Sequence, residues 1–301
     1  IDNYDPEIVL VLGDSEDALA AAIASVYAGK LCVHLCGGDA ASDGNSDNSV
    51  RDAVSKLAHI HFTTTEASRS RLIKIGEDQW RCYSVGATGL DSIALLPEIS
   101  KEEIMKKMAV QKMPEKYAIL IQHPILSDLD KSLTDFAASL EALVEMDVTT
   151  FIGRPNSDPG NSGLHSLINL YTTKFKKLIS YTNLSRIDFV NLMRHANFLI
   201  GNSSCGIIEA PFLKLPVINV GIRQRGRECS TNVLFVEGDK ENIRSAIDKS
   251  LYNIDYINKV QRCHNPYGEG NASIKIADKL TLIIKNKSKY TQKIQSAGNY
   301  K

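Results

Sequence analysis

Short apolar runs rich in Val, Ile and Leu alternate along this chain with longer amphipathic stretches, and Gly, Pro, Asn or Asp marks each boundary. No other feature constrains the fold as much. An apolar run of four or five residues suits a strand covered on both faces, and such strands belong to parallel sheets whose neighbours are joined by crossover helices. Ile8–Leu12, Leu31–Leu35, His59–Thr63 and Cys82–Val85 are the predicted strands of the first half, with Ile8–Leu12 expected to be buried. The Ala-rich run Ala18–Tyr27, then Ser49–Leu57 and Glu66–Ile75, are the predicted helices between them. The charged stretch Lys101–Lys116 reads as a linker, after which the pattern restarts. Tyr117–Ile121, Val148–Ile152, Phe175–Ser180, Phe198–Ile200 and Val217–Val220 are the later strands. Helices are predicted at Leu129–Met146, Gly160–Tyr171, Ser185–His195, Gly206–Phe212, Asn242–Leu251 and Ala272–Ile284, before a polar tail. The reading is two α/β units, residues 1–112 and 113–271, and a length of 301 residues suits two domains.

Composition excludes several classes of function. The apolar share of 43% is ordinary and argues against disorder. Lys plus Arg number 35 and Asp plus Glu 35, so there is no basic excess of the kind that nucleic acid or an anionic membrane selects. No apolar run approaches the roughly 18 residues of a membrane span. The expectation is no nucleic-acid partner, no membrane partner and a cytoplasmic location. The six cysteines include no Cys-x-x-Cys pair, and Cys32 and Cys36, with His34 between them, have no second cluster at zinc spacing. They read as buried thiols, so no metal and no cofactor is expected. The chain opens Ile-Asp-Asn-Tyr-Asp-Pro, without Met or a basic leader, and reads as cut from something longer.

Ligands of open parallel sheets bind beyond the carboxyl ends of the strands. Asp14 follows the first predicted strand, Gly37-Gly38-Asp39 the second, and Asp47 precedes a helix in which Arg51 lies one turn on. His123-Pro124 follows the first strand of the second unit. Gly201-Asn-Ser-Ser-Cys-Gly206 is a turn of small residues entering a helix that carries Glu209, and an Arg-rich loop with Arg223 follows the last strand. Carboxylates at strand ends can move protons, and N–H groups, hydroxyls and Arg can hold a phosphate. Each feature has a plainer reading: Asp14 and Asp47 as helix caps, Ser203-Ser204 as a cap, the Arg loop as a solvated surface. His34, His59, His61, His165 and His195 read as packing or surface residues. Only the shared strand-end position favours chemistry.

At these residues the chain resembles the UDP-N-acetylglucosamine 2-epimerase family, from about Gly13 to Ile284. Four stretches carry the resemblance: Gly201–Pro211 continuing through Pro216–Glu228 to Val233, Asn265–Ala272, Gly44–Lys56, and His123-Pro124. It implies an α/β fold of glycosyltransferase-B type: two Rossmann-like domains, parallel sheets with helices on both faces, and the nucleotide sugar in the cleft. The last helix, 272–301, would return to the first domain with a hinge near Lys101–Lys116. The first domain is expected to be incomplete, since the family's opening phosphate loop has no counterpart. The shape of Gly44–Lys56 is similar to the hydrolysing branch, which converts UDP-N-acetylglucosamine to N-acetylmannosamine and UDP for sialic-acid-type sugars. The resemblance assigns Asp14, Asp39, Asp47 and His123 to catalysis. It assigns Arg51, Ser203, Ser204, Glu209 and Arg223 to the substrate, with no cofactor and a homodimer or tetramer. Two departures stand out: Gly13-Asp14-Ser15 where the family has Gly-Asp-Arg, and Gly37-Gly38-Asp39 where it has Gly-Gly-Glu. The alternatives are a glycosyltransferase of the same fold, or a UDP-sugar-binding protein with impaired chemistry.

Overall fold

The computed structural model describes residues 1, 3–40, 47–125, 127–155, 160–291 and 293, without the side chain of Asp47. The signature residues Gly44–Ser46 and the tail from 294 lie outside them. The chain divides into two compact units, one formed by the described residues of 1–94 and 266–293, the other by Leu95–Asn265.

The first unit runs β1 (Ile8–Leu12), α1 (Glu16–Tyr27), β2 (Leu31–Leu35), α2 (Asp47–Leu57), β3 (Ile60–Thr63), α3 (Glu66–Lys74), β4 (Cys82–Ser84) and α4 (Gly89–Leu95). Its sheet has the order β1-β2-β3-β4, all parallel. Successive residues of β2 face opposite sides, which builds two cores. Cys32 packs with Val11, Ala18, Ala22, Val54 and Ala58 under α1 and α2. Leu31 and Val33 pack with Ile60, Phe62 and Val85 on the other face. As an edge strand β1 is not buried as expected: Leu10 and Leu12 are 46% and 60% exposed.

In the second unit come α5 (Lys101–Lys107), β5 (Tyr117–Ile121), α6 (Leu129–Glu145), β6 (Thr149–Gly153), α7 (Ser162–Lys174), β7 (Leu178–Tyr181), α8 (Arg186–Arg194), β8 (Phe198–Gly201), α9 (Cys205–Ile208), β9 (Val217–Val220), β10 (Val233–Val236), α10 (Lys240–Tyr252) and α11 (Ile254–Gln261). The sheet order is β10-β9-β8-β5-β6-β7, again all parallel. From β5 the chain winds one way through β6 and β7, then crosses to β8, β9 and β10. One cluster of its core includes Leu120, Phe136, Leu140, Ile152, Ile200 and Ile218, and Tyr117, Ile119, Phe151 and Leu199 are fully buried besides.

The predicted linker Lys101–Lys116 holds a helix instead. Ser100 caps α5 by accepting from the Glu103 N–H, acids occupy its first turn and Lys106 and Lys107 its last, which suits the helix dipole. Ile104 and Met105 are buried, and Lys107 pairs with Asp188 of α8 at 2.7 Å. Asn191 of α8 also holds the Ile99 N–H and the Pro97 carbonyl. These contacts place 95–107 in the second unit, so the boundary falls at 94/95 and not at 112/113.

The chain then returns to the first unit as α12 (Ala272–Lys285) and α13 (Lys287–Tyr290). Ile276, Ile283 and Tyr290 join the Leu31–Phe62 core, whereas Ile274 on the same helix α12 is 67% exposed. Asp91 holds the start of α12, accepting from the Ala272 and Ser273 N–H groups at 3.0 and 2.6 Å. Slight burial opposes ionisation of Asp91, and the Ser273 and Ala272 hydrogen bonds outweigh it and hold the carboxyl below its ordinary range. Among the described residues no helix is long and apolar enough to cross a membrane.

Three histidines of the first unit are held uncharged by burial. Desolvation lowers His34 from 6.5 to about 4, and lowers His59 and His61 too. The unfolded chain therefore takes up protons that the folded chain refuses, starting as pH falls below about 6.5. Stability should be full above that value and decline toward pH 4. His34 alone accounts for about 2 kcal/mol between pH 7 and 5, read as a falling urea midpoint. A flat midpoint across that window would remove the assignment.

Candidate functional site

The site residues form two groups, one on each unit. In the first unit, Asp14 lies in the turn after β1, Asp39 in the turn after β2, and Thr64 at the end of β3. Arg51 of α2 joins the first two. Its guanidinium pairs with the Asp14 carboxylate and donates to the Asp39 carbonyl at 2.8 Å and to Asn48 Oδ1 at 3.2 Å. The Asp39 carboxylate accepts from Thr64 Oγ1 at 2.5 Å and from Ser68 Oγ of α3 at 2.7 Å. Arg71 donates to the Gly38 carbonyl. Asp47 opens α2, and its side chain lies outside the described residues. Asp14 does not serve as the cap of α1: that role belongs to Ser15, which accepts from the Ala18 N–H at 3.1 Å.

The second group lies where the winding of the second sheet reverses, between β5 and β8. Such a switch point leaves a crevice beyond the strand ends. Gly201 ends β8 at φ +122, and a side chain there would put its Cβ 2.0 Å from the Ile121 carbonyl oxygen. Asn202 then spans the crevice. Its side chain accepts from the His123 N–H at 2.7 Å and donates to the His123 carbonyl at 2.9 Å. Its own carbonyl accepts from Arg223 and Gln224, both at 3.0 Å. The Ser203 hydroxyl accepts a long bond from the Cys205 N–H, 3.4 Å, and Ser204 makes no side-chain cap bond. The helix they enter, α9, is one turn long, and Glu209, just after it, pairs with Arg186 at 2.8 Å.

Beside Arg186 a pocket of about 340 Å³ opens at the ends of β5–β7, lined among others by Ile121, Arg154, Tyr181, Asn183 and Phe189. Among the described residues the buried Tyr181 hydroxyl there has no hydrogen-bond partner, and burial raises its pKa, so it stays a neutral donor. Among the described residues no three His, Cys, Asp or Glu side chains group to hold a metal ion.

Sequence reasoning named Asp14, Asp39, Arg51, His123 and the Gly201 turn. It gave Asn202 and Gln224 no part of their own and did not single out Thr64, Ser68 or the Tyr181–Phe189 pocket. Thr64 and Asn202 had a visible signal, since each directly follows a strand. Ser68 and Phe189 lie within helices and had none.

Gly38 supplies a structural test. Its φ is +76, and a Cβ there would lie 2.2 Å from the Ser68 backbone oxygen. Gly38→Ala should cost about 3 kcal/mol, seen as a lowered melting temperature. Gly89→Ala, with open space around it, should cost far less.

A family model described as UDP-N-acetylglucosamine 2-epimerase matches residues 1–281. The UDP-N,N'-diacetylbacillosamine 2-epimerase (hydrolyzing) of Legionella pneumophila is 35% identical over 269 residues, 89% of this chain and 69% of that protein. A UDP-N-acetylglucosamine 2-epimerase of Neisseria meningitidis is 31% identical over 251 residues, 83% of this chain and 64% of that protein. The chain thus spans about two thirds of these relatives' length. The crystal structure of UDP-GlcNAc 2-epimerase from Neisseria meningitidis bound to UDP-GlcNAc superposes with a TM-score of 0.75 at 21% identity, covering 93% of this chain and 78% of that one. The fold is the two-unit parallel α/β architecture of such structures, and the chain belongs to the UDP-N-acetylglucosamine 2-epimerase family.

Proposed function

We propose that the protein acts on a UDP-linked acetamido sugar as a hydrolysing 2-epimerase. The observation that carries this reading is the Arg51 tie, which gathers the Asp14 turn and the Asp39 turn at the strand ends of one sheet. A carboxylate takes the proton from sugar carbon 2. The bond from carbon 1 to the UDP oxygen breaks, leaving a glycal. Water then adds its oxygen to carbon 1 while carbon 2 takes a proton on the opposite face, which yields the 2-epimer and UDP. Proton transfer asks for positioned carboxylates, and the departing diphosphate asks for fixed positive potential. Asp14, Asp39 and Asp47 are the proposed proton carriers. Arg223, Ser203, Ser204 and His123 are proposed for the diphosphate, Glu209 for the ribose, and the Tyr181–Phe189 pocket for the base.

Two sugars compete for the site. N-acetylglucosamine fits the family description, and a diacetamido sugar fits the name of the Legionella relative. Asp39 is the residue that distinguishes them, because it is one methylene shorter than the family's Glu. Thr64 and Ser68 already hold its carboxylate.

With the intact natural protein, NMR should show UDP and free 2-epimer forming from one of the two UDP sugars. An exchange of two UDP sugars without UDP release would replace the hydrolysing reading. If N-acetylglucosamine is the substrate, Asp39→Glu should raise turnover. If the pocket is built around the shorter acid, Asp39→Glu should slow it and the diacetamido sugar should be preferred. Asp39→Asn should lower turnover in both cases, and no change in any variant would remove Asp39 from the mechanism. UDP affinity by calorimetry should fall about tenfold or more in Ser204→Ala or Arg223→Ala; unchanged affinity in both would sink the nucleotide assignment. The reading routes no step through a metal, so chelation should leave turnover intact.

A further inference from the structure

The strand-end group of the first unit has a second tie beneath it. His34, in the middle of β2, is fully buried. Its Nε2 lies 2.8 Å from the Gly13 carbonyl, the residue just before Asp14, and its Nδ1 lies 3.0 Å from Ser55 Oγ. Ser55 is on α2, one turn beyond Arg51, and its hydroxyl also lies 2.9 Å from the Arg51 carbonyl. The third neighbour is the turn that leads to Asp39. A Cβ on Gly37 would fall 2.9 Å from His34 Nδ1 and 3.1 Å from Ser55 Oγ. One imidazole therefore touches the Asp14 turn, the helix of Arg51 and the turn of Asp39. Arg51 joins the same three segments from the other side.

A carbonyl oxygen can only accept, so the Gly13 contact requires the proton to sit on Nε2. Nδ1 then carries the lone pair and faces the Ser55 hydroxyl, whose single proton is shared between Nδ1 and the Arg51 carbonyl. The ring is thus oriented from both ends, and the Gly13 carbonyl has a fixed donor on a buried ring.

We infer that His34 is a positioning residue for the reaction proposed above: by donating Nε2–H to the Gly13 carbonyl with Nδ1 set against the Ser55 hydroxyl, it fixes the Asp14 turn against the helix that presents Arg51. This rests on the reading of Asp14 as a proton carrier. His34 touches no substrate. It holds the angle at which Asp14 leaves β1, and an error of about an ångström in a reacting group can cost on the order of a hundredfold in rate.

Two conservative replacements separate the ends of the ring. Gln places its amide nitrogen near the position of Nε2 and keeps the bond to Gly13. Asn places its amide oxygen near Nδ1, where it can face the Ser55 hydroxyl, and leaves the Gly13 carbonyl without its donor. In the intact protein, His34→Asn should lower kcat about tenfold or more, and His34→Gln should stay within about threefold of the parent. KM and the calorimetric affinity for UDP should stay within about twofold in both, because the nucleotide residues are on the other unit. Equal losses in the two variants, or no loss in either, would overturn the positioning role. Nitrogen-15 NMR of the parent gives a readout independent of turnover: the His34 ring should carry its proton on Nε2 at neutral pH, and an Nδ1-protonated ring would overturn the proposal whatever the kinetics. Asp14→Asn separates the two layers. If it abolishes turnover while His34→Asn does not, the positioning role falls alone. If Asp14→Asn turns over normally, the reading of Asp14 falls and the role of His34 falls with it.

Discussion

A parallel sheet sends the carboxyl end of every strand to one edge, and both candidate groups depend on that constraint. In the first unit it brings the turns after β1 and β2 and the end of β3 together, although Asp14, Asp39 and Thr64 are far apart in the chain. Nothing in the sheet itself fixes how those turns leave the strands. That is done by side chains that reach back from helices: Arg51 from α2, Ser68 and Arg71 from α3. The sheet sets the neighbourhood and the helices set the geometry. In the second unit the same rule acts at the winding reversal, and Asn202 does from a strand end what Arg51 does from a helix.

The strands were legible because burial on both faces leaves an unbroken apolar run, as in Tyr117–Ile121 and Val217–Val220, where almost every residue is buried. Legibility failed at one edge strand and one charged helix. Every residue of β10 is only half-buried at the sheet edge, so Val233–Val236 had no boundary to mark it. The helix α5 was hidden by its own charges, which read as a linker because just two of its seven residues, Ile104 and Met105, are buried. Those charges are placed for the helix dipole and for Asp188, and both become visible only once the helix is drawn.

At the site, legibility followed whether a role is local. Asp14, Asp39 and His123 are recognised by position alone, since polar residues directly after apolar runs are few. The partners that hold them are not. Thr64 meets Asp39 from 25 residues away, and Asn202 meets His123 from 79. His34 is the sharpest case. Inside an apolar strand it read as a packing residue, and it is indeed buried; its hydrogen bonds to Gly13 and Ser55 are what packing alone does not supply.

Helix α2 carries these interactions to the other end of the first unit. Its last carbonyls, with that of Ala58 beyond it, take hydrogen bonds from Lys293, at 3.1, 2.8 and 2.7 Å from Ser55, Lys56 and Ala58. Lys293 in turn meets Glu77 at 2.7 Å, and Glu77 is also met by His61 and Lys56, each at 3.0 Å. Burial alone would raise the Glu77 carboxyl, but the hydrogen bonds from His61 and Lys293 and the charge of Lys293 outweigh it and hold it at about 2. Several partners share the compensation of this buried acid, which would be costly if left without them. The cation also sits where the helix dipole is negative. So α2 is pinned at its carboxyl end by an ion cluster and near its amino end by Arg51, with His34 and Ser55 between. A helix held at both ends cannot slide or rotate without breaking buried polar bonds, and that restraint is what a guanidinium needs if it is to hold two turns of a sheet in register.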